Sequence, residues 1–383
     1  MKHLILTSAI VVALAAPIGA ETLTIGTATA QTGALAYADV PTMQGMKLAI
    51  EEINATGGID GATKIVLLEK DVRSDPAQTS IAAQELADAG VSVIVLPGDS
   101  DPALAAIGVV SSAEIPAIST VASSPTLPEI GGDYMFSNFP GDNVQAAVSA
   151  KWAWDEGYKT AWIVYSPDTQ YTTMPLYFRD VFEKLGGEML GESTNTIGQQ
   201  DFSAIATTIA AQKPQPDLVM TSAYEPDFPS MLLALRAAGV TSQIIGSDGI
   251  DSPTTFSLGT VGEDVVFTTA GFATKGSPLE AFDKAFEQKY GNAPESIYSA
   301  VGYDLIKVIE AAVIEAGSTD PKKIRDAMAD LENVQGATGL ITYRGTNGMP
   351  VRQVSLIRVK DGGRELVGQP SPDADLIPAP RMQ

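Results

Sequence analysis

Short apolar runs of strand length alternate with amphipathic stretches of helix length along nearly the whole chain, and no other feature restricts the fold as much. Residues 23–27, 65–69, 93–96, 160–165, 218–221 and 243–247 read as strands. Residues 43–54, 77–89, 143–156, 174–185, 203–212 and 228–238 carry apolar side chains at helical spacing, with glycine stops at 57–58 and 90. Strands and helices alternating in this way build βαβ units, and βαβ units build parallel sheets. A chain of 383 residues exceeds what one hydrophobic core usually holds, so two sheets are expected. No Pro/Gly/Ser-rich tether separates two halves, which predicts several short crossovers between them. The last quarter differs: helices over 298–316 and 321–331 precede residues 339–344 and 354–359, which read as a hairpin-like pair around Asn347-Gly348. From Gln369 onward the Pro-rich chain is expected to be extended or frayed.

Residues 93–126 concentrate the polar chemistry. An apolar strand, a small polar loop, a short helix and a second strand ending at Ser119 place Gly98, Ser100, Ser119, Ser123 and Ser124 in turns beyond strand ends. In a parallel sheet such carboxyl ends are where ligands sit, among unpaired backbone N–H groups. Small hydroxyl residues there suit a carboxylate, although serines in turns also serve as caps.

The first twenty residues read as an export leader: Met1-Lys2-His3 is basic, residues 4–16 are apolar, and Pro17-Ile18-Gly19-Ala20 fits a signal-peptidase site after Ala20. A retained anchor is the alternative. Cleavage removes His3, the only histidine, and the chain has no cysteine, so Ser-His-Asp and Cys-His nucleophiles, thiolate or imidazole metal sites and disulfides are excluded from the mature protein. No cofactor or metal is expected. The net charge of −22 becomes one unit more negative with loss of Lys2, a surface that repels nucleic acid and anionic lipid.

Eight segments, in order over the mature chain, resemble the periplasmic substrate-binding proteins of branched-chain amino acid (Leu/Ile/Val) ABC transporters: residues 22–61, DVRSDP, LPGDSDPALA, IPAISTVASSPTL, YSPDTQY, DLVMTSAYEPDFPSMLLALRAAGV, IIGSDGI and YSAVGYDLIKVIEAA. The resemblance implies a type I periplasmic binding fold: two Rossmann-like α/β lobes with parallel sheets, joined by three hinge crossovers near residues 136–140, 268–272 and 348–351. It places 21–138 and 272–349 in one lobe and 139–271 and 350–383 in the other. The ligand would bind between the lobes, which close on it. Carried over residue by residue, Ser100 and Ser123 would hold an α-carboxylate and Val121 would contribute backbone groups. Tyr171 and Tyr224 would meet the ligand from the second lobe, Asp248 would pair with its ammonium, and Tyr37 would border the side-chain pocket. The implied partners are a small amino acid and an inner-membrane permease, and the implied protein is a monomeric periplasmic binder without catalysis.

Three residues depart from that pattern. Asp99 and Asp101 flank Ser100 where simple branched-chain binders have small or hydroxyl residues. Either they point away as helix N-terminal charges, the preferred reading, or the ligand is more cationic than leucine. Arg73 could reach an anionic group or pair with Asp71 or Asp75. Other functions stay open. An aromatic acid, a small amide or a quaternary amine could replace the amino acid, with tyrosines and Asp99 and Asp248 forming a cage; the protein could also be a receptor-docking sensor. An exported hydrolase using Asp248 and Asp251, or Asp99 and Asp101, is the catalytic alternative, against which stands the commoner turn-and-cap role of such pairs.

Overall fold

A computed structural model describes residues 21–167 and 173–381. The first sheet is parallel throughout and has the order β2-β1-β3-β4-β5, from Thr22–Thr29 (β1), Lys64–Asp71 (β2), Val93–Leu96 (β3), Ala117–Ser119 (β4) and Met135–Ser137 (β5). Its central strand β3 is Val-Ile-Val-Leu with every residue buried, as a strand covered on both faces requires. One face packs on helices Ala36–Ala55 (α1), Tyr298–Ala316 (α12) and Pro321–Asp330 (α13). The other packs on Pro76–Asp88 (α2), Ser100–Leu104 (α3), Ile107–Ala113 (α4) and Thr126–Gly131 (α5). Helices α1 and α12 cross in near backbone contact: a Cβ at Gly45 would lie 1.7 Å from the Ser299 carbonyl oxygen, and one at Gly302 2.0 Å from that of Thr42.

The second sheet has seven strands in the order β15-β14-β10-β9-β8-β6-β7. Thr160–Tyr165 (β6), Glu188–Thr194 (β7), Leu218–Thr221 (β8), Gln243–Gly246 (β9) and Val266–Thr269 (β10) run parallel. Ser355–Lys360 (β14) and Gly363–Gly368 (β15) extend the sheet antiparallel. Helices Asp142–Asp155 (α6) and Met174–Lys184 (α7) cover one face, and Ser203–Ala210 (α8) and Asp227–Ala237 (α9) the other. Pro253–Phe256 (α10) is one turn after β9, and Pro278–Tyr290 (α11) precedes α12.

The expected pair around Asn347-Gly348 takes a different form. Leu340–Thr342 (β12) pairs with Val334–Gln335 (β11) and Val351–Arg352 (β13) in a separate three-stranded sheet, so the loop through Asn347-Gly348 joins β12 to β13. The strand expected at 354–359 instead forms its hairpin with β15 across Asp361-Gly362, both at positive φ, the conformation a tight two-residue turn demands. The terminal segment is extended as expected but fastened: Asn143 donates to the Pro378 carbonyl, and Arg381 pairs with Asp180.

The chain passes between the two large sheets at residues 138–141, 270–277 and 353–354. Arg352 binds two of these passages together. Fully buried, it donates to the carbonyl and side-chain oxygens of Asn138, to Thr338 Oγ1 at 2.6 Å and to the equally buried Asp304 at 2.8 Å.

Candidate functional site

The carboxyl ends of β3 and β4 face those of β8 and β9, and the loops leaving them form one polar cluster between the sheets. Asp99 caps α3, its carboxylate accepting the Asp101 N–H at 3.0 Å, and it is 7% exposed. The expectation that it points away as a helix-terminal charge is therefore met only in part: Asp99 is a cap, but a buried one whose charge acts on the phenol of Tyr224. Burial pushes its carboxyl up to about 7, helped by the charges of Asp101 and Asp39. Ser100 follows at the start of α3, 1% exposed, and its hydroxyl has no hydrogen-bond partner among the described residues.

Asp39, which sequence reasoning passed over, organises the loops beneath. Completely buried on α1, it accepts the Ala30 N–H at 2.7 Å, the Gly98 N–H at 2.9 Å and the Thr120 hydroxyl at 2.8 Å. Burial outweighs these bonds and lifts it to about 6. Gly98 cannot gain a side chain cheaply here: a Cβ would fall 2.5 Å from Val121 Cγ2. Val121 itself is buried against Ala38, Phe139, Ala270, Tyr298 and Val301, an apolar seam that includes two of the passages between sheets.

Ser123 is buried and its hydroxyl donates to Asp142, while its carbonyl accepts the Asp142 N–H at 2.8 Å. Thr173 also donates to Asp142, whose carboxyl burial raises to about 6. From the second sheet come Asp248, in the turn after β9, and Tyr224, in the loop after β8. Asp248 is 7% exposed, raised to about 8 by burial and then by the charges of Asp142 and Asp251. Gln145 donates to it, and Tyr298 OH lies 2.9 Å from its carbonyl and 3.4 Å from its carboxylate.

Aromatic rings join the two ends. Tyr37 stacks on Tyr224 with centroids 5.9 Å apart and meets the edge of Tyr298 at 6.2 Å. Tyr298, the first residue of α12, carried no separate signal in the sequence beyond its place in YSAVGYD. Tyr171 lies outside the described residues, as do residues 1–20. The other candidates all fall in or beside this cluster.

Of the carboxylates considered for hydrolysis, Asp251 is held in an ion pair. Asp251 accepts from Arg364 Nε at 2.6 Å, from the Ile297 N–H at 3.3 Å and from Thr269. Arg364, on β15, also donates to the Glu295 carbonyl at 2.7 Å, so these groups tie the second sheet to the segment before α12. Arg73 is exposed after edge strand β2, with its N–H on Asp71.

Two α/β halves with strand ends facing across a buried polar cleft, and three passages of chain between them, define a two-lobed ligand-binding fold. The chain belongs to the periplasmic binding protein family, whose sequence profile matches residues 22–364. It is 28% identical to the Leu/Ile/Val-binding protein BraC3 of Rhizobium johnstonii over 93% of this chain and 97% of that protein. A leucine-binding protein of Thermotoga maritima superposes with a TM-score of 0.83 at 25% identity, covering 91% of this chain and 99% of that one. A solute-binding protein of R. palustris solved with benzoate shares the fold, with a TM-score of 0.80 at 19% identity over 92% of this chain and 97% of that one. The type I periplasmic binding fold expected from the sequence is thus the fold of the molecule.

Proposed function

We propose that this chain is the extracytoplasmic solute-binding component of an ABC transporter, taking a small amino acid or related amine between its lobes and presenting it to an inner-membrane permease. The division into two lobes, with the third boundary moved from 349 to 353–354 because Val351–Arg352 pairs with β12, the export leader ending at Ala20, the monomeric state and the absence of catalysis belong to the same proposal. Asp248 carries it. A carboxylate 7% exposed, among further acids and without a Lys or Arg partner among the described residues, is costly until a cation arrives. An α-ammonium supplies that cation, with Tyr298 and Gln145 completing the shell. The hydroxyl of Ser100, which has no hydrogen-bond partner among the described residues, remains for a further polar group of the ligand. An aromatic acid would bring only negative charge to this cleft. Contacts made from both lobes at once favour the closed arrangement, which is the form a permease would read.

The test is calorimetric titration of refolded, ligand-stripped protein with amino acids, aromatic acids, amides and quaternary amines. Asp248→Asn is expected to weaken the best amine-bearing ligand by about two orders of magnitude. Unchanged affinity in that variant, or binding confined to aromatic acids, overturns the reading.

A further inference from the structure

One ammonium does not account for both ends of the cleft. Asp248 touches Tyr298, Tyr298 meets Tyr37 edge-on, Tyr37 stacks on Tyr224, and Tyr224 belongs to the buried cluster that holds Ala103 of α3, the helix Asp99 caps. The result is a wall of three tyrosine rings with a buried carboxyl group at either end. Asp99 is as buried as Asp248 and, like it, has no basic partner among the described residues; the segment 168–172, Asp-Thr-Gln-Tyr-Thr, contains no basic residue either. Beside Asp99 stands Ser100, whose buried hydroxyl has no hydrogen-bond partner among the described residues. A zwitterion oriented with its ammonium on Asp248 would direct its carboxylate toward the Asp99 end, where Asp39, Asp99 and Asp101 already oppose one another.

Resting on the reading of this cleft as the solute site, we infer that the preferred solute carries two cationic nitrogen groups separated by an aliphatic spacer, one held at Asp248, the other at Asp99 and Ser100, with the spacer along Tyr298, Tyr37 and Tyr224. Diamines and basic amino acids are the two sources of that chemistry. Charge favours such a ligand at both ends, and the ring faces favour cations over anions between them.

Calorimetric titration with leucine, lysine, 1,5-diaminopentane and choline, on the unaltered protein and on Asp99→Asn and Asp99→Ser, tests the assignment; both substitutions keep a side-chain acceptor for capping α3. Lysine or the diamine is expected to bind at least about tenfold more tightly than leucine and choline, and both variants are expected to erase that margin. Which of the two binds better identifies the source. Leucine binding more tightly than either dication, with affinity unchanged in both Asp99 variants, overturns this inference and leaves the solute-binding proposal standing. No saturable binding of any of the four overturns this inference, and the wider panel of amino acids and amides then decides the solute-binding proposal.

Discussion

Gly98 lies where three side chains converge, and its missing Cβ lets the loop after β3 settle over Asp39. An added methyl would meet Val121 Cγ2 at 2.5 Å, Thr120 Oγ1 at 3.0 Å and Asp39 Oδ1 at 3.1 Å. Gly98→Ala is therefore expected to lower stability by about 1–3 kcal/mol, read as a reduced urea midpoint at unchanged slope, and to weaken ligand binding through displacement of Asp99. A midpoint equal to that of the unaltered protein would show that the loop yields freely. Asp248 and Tyr224 were legible as candidates only through the family resemblance, in GSDG and AYEP, whereas Ser100 and Ser123 were also legible from their place beyond strand ends. Asp39, Asp142 and Tyr298 were not legible. Each sits on a helix, and what makes it part of the site is burial against residues 59 to 81 positions away for Asp39 and 50 positions away for Tyr298.

At the scale of elements, the buried pair of Arg352 and Asp304 joins β13 to α12 and, through Asn138, to the passage leaving β5. Removing one member leaves an uncompensated charge in the interior, so Arg352→Ala is expected to cost about 3–5 kcal/mol in chemical denaturation. A loss below about 1 kcal/mol would place the pair among the weakly contributing surface bridges. Several elements with apolar runs or helical periodicity were readable almost to the residue, as β3, β6, β8 and α12 show, whereas β10 and α11 were not assigned and α1 begins at Ala36, ahead of the expected start at 43. Edge strand β7 was not, because Glu188–Thr194 is half-exposed and polar and has no apolar run to mark it. The hairpin assignment went to Asn347-Gly348 instead of Asp361-Gly362 since both dipeptides suit a turn, and only strand pairing separates them.

For the whole molecule, the unpaired acids link stability to pH. Burial lifts Asp39 and Asp142 to about 6, Asp99 to about 7 and Asp248 to about 8. Unfolded, such groups lose their protons near pH 4. Between about pH 4 and pH 8 the unfolded chain thus holds fewer protons than the folded one, and stability falls as pH rises through that window. Asp142, Asp251, Tyr298 and Gln145 surround Asp248, and Asp39, Asp101 and Tyr224 surround Asp99, so no positive group among them reverses the sign. The ligand-free Tm is expected to fall from pH 5 to pH 8, and Asp248→Asn to flatten that fall; a rising Tm, or an equal slope in the variant, would contradict it. The sequence alone determined the strand-helix alternation, the two largely parallel sheets, the absence of thiols and of any histidine beyond His3, and the hydroxyl-rich loops at strand ends, because these follow from local periodicity and residue type. Only the tertiary structure decided that Asp99 is buried, that Ser123 serves Asp142, and that three tyrosines from distant segments form one wall. Burial and pairing depend on which faces meet, and no local pattern carries that information.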